Sequence, residues 1–127
     1  MVMTALLASE LEIGTRMLVA LDDAGLAIKI AMWLYPQEYE DWRFVLASRL
    51  LDEAGPLEAY GLVHDALTAG GISYLQTPTL KILEMKDPFV RALRRNFGKD
   101  KSVEGMRLAL RTIGDRFVED GIVYRIK

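Results

Sequence analysis

Two pairs of alternating runs, one near each end of the chain, constrain the fold more than any other feature. From Leu26 to Tyr35, Ile28, Ile30, Met32 and Leu34 fall on one side of an extended chain, with Lys29, Ala31, Trp33 and Tyr35 on the other. A second alternating run, Trp42 to Leu50, follows the polar connection Pro36-Gln37-Glu38-Tyr39-Glu40-Asp41. The pattern returns in Met106 to Thr112 and in Phe117 to Ile126. A period of two belongs to a strand, because successive side chains leave opposite faces of the pleat. Two such runs joined by a short connection read as a hairpin. Asp120-Gly121, inside the last run, is either a tight turn or a bulge at Gly121 in one long strand, and the second reading is adopted.

Before and between the hairpins the period changes. Residues 4–24 repeat apolar positions at helical spacing, and Gly25 stops them. In Leu57 to Ala69, Leu57, Tyr60, Val63 and Leu67 share one arc while Glu58, Asp65 and Thr68 lie opposite, and Gly70-Gly71 closes the segment. Thr79 to Met85 reads as a short strand. Asp87-Pro88 then opens the clearest helix, with aspartate as cap, proline in the first turn and Gly98 beyond the last. That helix is expected to bury Phe89, Val90, Leu93 and Phe97. The order α-β-β-α-β-α-β-β predicts an α+β domain: a mixed, largely antiparallel sheet of about five strands with three helices packed against it. No repeat or linker divides residues 1–127, and a chain of 127 residues can bury a core without covalent staples.

Composition removes whole classes of chemistry. There is no cysteine, so disulfides, thiolate zinc sites, iron–sulfur clusters and cysteine nucleophiles are excluded, and a single His64 leaves no His-rich metal site. His64 itself, at the edge of an apolar arc, reads as structural. The first ten residues lack a basic segment, and Glu10, Glu12 and Arg16 interrupt the apolar character early, so neither a signal peptide nor a membrane span is expected and a cytoplasmic location is. No Gly-rich phosphate loop and no nucleophile elbow occurs.

Three features remain to carry function. The first is charge polarity: residues 1–80 hold 4 basic and 11 acidic side chains, residues 81–127 hold 12 and 7, giving −7 and +5 for a net −2. Arg91, Arg94 and Arg95 fall within about 100° of helical arc, opposite Leu93. Arg107 and Arg111 are expected to share one strand face, and Arg125 and Lys127 another. The near-neutral total favours docking on a protein, this chain included, over a dedicated nucleic-acid binder. The second is the stretch from Trp33 to Trp42, where Trp33, Tyr35, Tyr39 and Trp42 surround Glu38, Glu40 and Asp41, a composition that suits a contact surface. The third is Glu10, which a helix over 4–24 places in the middle of the apolar arc, where an unpaired carboxylate costs several kcal/mol.

Glu84-Met85-Lys86 at the end of a strand resembles the acid-x-lysine half of the restriction-endonuclease-like nuclease signature. The resemblance implies an aspartate from an earlier strand, a role for Asp41, and a glutamate from the first helix, a role for Glu10. It further implies Mg²⁺ held by those carboxylates, with Lys86 helping to activate the attacking water. The chain departs from the family in placing a whole helix between Asp41 and Glu84. The favoured reading is therefore a binding or assembly module rather than an enzyme, without cofactor or metal. It self-associates or docks on a protein partner through Trp33, Tyr35, Tyr39 and Trp42 or through Arg91, Arg94 and Arg95. A nucleic-acid-associated protein, or a divergent nuclease built on Glu10, Asp41, Glu84 and Lys86, is the second reading.

Overall fold

The structure, a computed structural model, describes residues 5–35, 41–100 and 102–127. Its elements are α1 (Ala8–Asp23), β1 (Ile30–Tyr35), β2 (Arg43–Ala47), α2 (Arg49–Ala54), α3 (Pro56–Ala69), a 3₁₀ turn (Tyr74–Gln76), β3 (Leu80–Ile82), α4 (Pro88–Phe97), β4 (Arg107–Ile113) and β5 (Arg116–Ile126). The expected α+β order is present with one addition. The run from Trp42 does not stay extended to Leu50, because the buried Ser48 accepts the Leu51 amide at 3.1 Å and caps the short helix α2. The described residues thus hold four α-helices rather than three.

The five strands form one sheet in the order β3-β2-β1-β5-β4. Among the described residues only β2 and β3 run parallel; the other neighbours are antiparallel. Helices α1 and α3 cover one face and α4 the other. The central strand β1 is buried on both sides: Ala31, Trp33 and Tyr35 join the core under α1 and α3, and Ile30, Met32 and Leu34 join the core under α4. Ile28 belongs to the α1 side and not with Ile30 as the alternation implied, since the chain bends at Lys29 and the strand begins only at Ile30.

The last strand is a single run of 11 residues, entered through a two-residue turn at Gly114-Asp115 in which Gly114 adopts φ 63°. Its bulge lies at Tyr124 and not at Gly121: Val123 faces Met32 and Arg125 faces Ala31, leaving Tyr124 unmatched. An extra residue lets two neighbours point the same way, so Tyr124 and Arg125 both face α1. The Tyr124 hydroxyl donates to the Leu11 carbonyl at 2.6 Å and accepts from Trp33 Nε1 at 3.2 Å. Arg125 forms a two-pronged pair with Asp22, both contacts 2.8 Å, and its hydrogen bonds hold the Asp22 carboxyl below its ordinary 3.8.

Burial raises the Tyr124 phenol above its ordinary 10.0. The unfolded chain therefore loses this proton first, and stability falls as pH climbs past about 10. Urea midpoints measured between pH 9 and 11 should drop more steeply for the unaltered chain than for Tyr124→Phe. Superimposable alkaline profiles would assign the loss to another group.

Candidate docking surface

Helix α4 forms where its local signals say it should. The Asp87 carboxylate accepts the Phe89 amide at 2.8 Å, satisfying one of the first-turn donors, and Pro88 needs none. Phe89, Val90, Ala92 and Leu93 are buried against the sheet. With those four turned inward, Arg91 and Arg95 stand on the exposed face. Arg94, on the flank, donates from Nε to the main-chain oxygen of Lys127 at 2.7 Å.

The β4–β5 hairpin extends this basic face. Arg111 lies over the Phe97 ring (5.6 Å from its centroid) and Arg116 over Phe89 (5.5 Å), so the two ends of α4 each carry a guanidinium parked on an aromatic face. Gly114 is required at the hairpin turn twice over: its φ is positive, and a Cβ there would sit 3.0 Å from the Pro88 carbonyl carbon and closer to its oxygen. No sequence signal pairs Arg116 with Phe89, which lie in different elements. Arg107 does not share a face with Arg111. The left-handed backbone of Leu110 (φ 52°) breaks the alternation, and Arg107 turns away from α4 to hold the buried Asp120 carboxylate at 2.6 and 3.0 Å. Arg125, with Asp22, belongs to the α1 side as well. Among the described residues no Asp or Glu side chain lies within ion-pair distance of Arg91, Arg94, Arg95, Arg111 or Arg116.

The opposite face of the sheet carries the opposite sign. Helices α1, α2 and α3 hold eight acidic side chains and two basic ones, a net −6, against +3 and no acid on α4. Glu12 and Asp23 stand on the exposed side of α1, and Glu58 and Asp65 on that of α3.

The remaining candidates are dispersed. Glu10 is not in mid-face: α1 begins at Ala8, so Glu10 sits in the first turn and accepts the Leu7 amide at 2.9 Å as a capping group. Asp41 is exposed just before β2, whereas Glu84 and Lys86 follow β3 and bond to each other at 3.5 Å in the open. The two strands run parallel, with Asp41 before the start of β2 and Glu84 beyond the end of β3, so the two carboxylates sit toward opposite ends of the pair. The turn at Glu84 is tied down differently, by the Asp52 carboxylate accepting the Met85 amide at 3.0 Å. Among the described residues no three carboxylates or histidines are grouped to hold a metal ion.

Of the aromatic stretch, Trp33, Tyr35 and Trp42 are core residues, 1%, 3% and 7% exposed, and Tyr39 lies outside the described residues. Their rings pack edge to face, Trp33 on Phe44 and Tyr35 on Trp42, which occupies the surface that a partner would need. Sequence reasoning missed the exposed apolar turn at Tyr74 and Leu75. It also missed a 590 Å³ cleft between α1, the segment after α4 and the end of β5, walled by Val19, Val103, Tyr124 and the Asp22–Arg125 pair. No helix of the described residues is long and apolar enough to cross a membrane. Compared with known protein families, with characterised proteins and with solved structures, the chain matches none.

Proposed function

We propose that this chain is a protein-docking module whose contact surface is the basic face of α4 and the β4–β5 hairpin. The observation that carries the reading is Arg91 and Arg95 standing outward on a helix seated by Phe89 and Leu93, with no acidic partner in reach among the described residues. Arg94, Arg111 and Arg116 flank them, each held by a main-chain oxygen or a ring. Holding a guanidinium in place removes part of the side-chain entropy that an interfacial pair otherwise costs. Arginine is also the cation best suited to two-pronged carboxylate contacts.

A short acidic surface suits this face better than a nucleic acid does. Ten helical residues span about 15 Å, room for few phosphate contacts, and non-specific binding with so few loses strength steeply as salt rises. The net charge of −2 and the acidic helices behind the sheet add no general attraction for a polyanion. The test compares a fluorescent twelve-residue polyglutamate peptide with a twelve-nucleotide single strand by anisotropy at low and at about 0.15 M ionic strength. The peptide should bind, and Arg91→Gln/Arg95→Gln should weaken it about tenfold or more with the circular dichroism unchanged. Tighter binding of the oligonucleotide at about 0.15 M salt would move the function to nucleic acid. Peptide binding indifferent to both substitutions would remove α4 as the contact.

A further inference from the structure

We infer that the partner is a second copy of this chain, docked head to tail, with the α4 face of one copy on the α1–α3 layer of the next; this rests on the docking surface just proposed. The two helical layers differ in sign, −6 and +3, and lie on opposite faces of one sheet. Among the described residues, Glu12, Asp23, Glu58 and Asp65 find no hydrogen-bond or ion-pair partner for their carboxylates, so they are available to a cation from outside.

Symmetric arrangements are poorer on the same grounds. A two-fold contact through α4 sets Arg91 and Arg95 against their own copies, and one through α1 and α3 sets acid against acid. Pairing through the exposed edge strand β4 fares no better. An antiparallel two-fold centred on Ala109 brings Arg107 opposite Arg111, and the left-handed Leu110 interrupts the ladder at that point. Only the contact between unlike faces sets opposite charges against each other. Because its two halves sit on opposite sides of the molecule, it leaves a free face at each end and repeats along a line rather than closing into a dimer.

The contact is small. An exposed helical strip about 15 Å long and 10 Å wide, even with the hairpin added, falls well short of the roughly 800 Å² per partner of a stable complex. Association should therefore be weak, growing with concentration at low salt and dissolving at high salt.

The experiment is sedimentation velocity at low and at about 0.5 M salt, with two neutralised variants. Arg91→Gln/Arg95→Gln keeps the acidic layer; Glu12→Gln/Asp23→Asn/Glu58→Gln/Asp65→Asn keeps the basic face. The unaltered chain should form species that lengthen with concentration at low salt and revert to monomer at high salt. Each variant alone should be monomeric, and an equimolar mixture should give a one-to-one pair that grows no further. Arg91→Lys/Arg95→Lys, which keeps the charge, should retain assembly. An unaltered chain that stays monomeric at low salt while still binding polyglutamate overturns the self-docking and leaves the docking surface standing. Loss of both overturns both. A dimer that neither variant disturbs, or a mixture that behaves as its parts, places the contact elsewhere and overturns the inference.

Discussion

Replacing Phe89 by alanine is expected to cost about 3–5 kcal/mol, the largest effect of any single truncation on α4. The ring is fully buried in the first turn of the helix, in the core that also holds Val90, Leu93, Val118 and Ile113. Truncation loses the transfer energy of the ring and leaves a cavity that a helix held by its neighbours closes only in part. Arg116 loses its platform at the same time, since its guanidinium lies over that ring. Docking through α4 should weaken along with stability. Phe89→Leu, which keeps most of the volume, should cost about 1.5 kcal/mol or less. Urea unfolding of the two variants is the measurement; an alanine cost under about 1 kcal/mol would show that α4 is not seated on Phe89.

Gly14→Val should destabilise by about 2–4 kcal/mol, although an exposed helix would gain from losing a glycine. Gly14 lies in mid-α1 over the bulge of β5, and a Cβ added there would sit 2.7 Å from Tyr124 Cζ and 3.1 Å from Trp33 Nε1. Relief requires Tyr124 to move, breaking its bonds to the Leu11 carbonyl and Trp33 and its edge-to-face contact with Phe44. Each buried group left unpaired costs about 1–3 kcal/mol. In a Tyr124→Ala background the obstructing ring is gone, so Gly14→Val should cost much less there. Additive losses in that double-mutant cycle would show that Gly14 is not needed to admit Tyr124.

The candidate surface was partly legible in the sequence and partly not. Arg91, Arg94 and Arg95 could be grouped because they sit on one helix, where three- and four-residue spacing decides the face. The same spacing argument fails for Arg107 and Arg111, since counting along a strand assumes unbroken alternation and Leu110 breaks it. It fails for Arg116 because the ring under its guanidinium is 27 residues away in the chain. Glu10 was misjudged by a boundary: moving the helix start to Ala8 turns a buried charge into a capping group. Trp33, Tyr35 and Trp42 were misjudged by composition, because rings that suit an interface also suit a core.

What the sequence by itself determined was the set of elements and their kinds. Period, caps, prolines and glycines act within a few residues, so Asp87, Pro88 and Gly98 were enough to bound α4. The two alternating pairs at the chain's ends likewise specified a largely antiparallel sheet. Only the tertiary structure decided that β1 is buried on both faces, that β2 and β3 run parallel, and that the bulge falls at Tyr124 rather than Gly121. It also decided that acidic and basic helices stand on opposite sides of the sheet. These depend on contacts between residues tens of positions apart, Ile30 with Ile126 and Tyr124 with Gly14. Such contacts are selected by how whole surfaces pack, and local spacing carries no record of them.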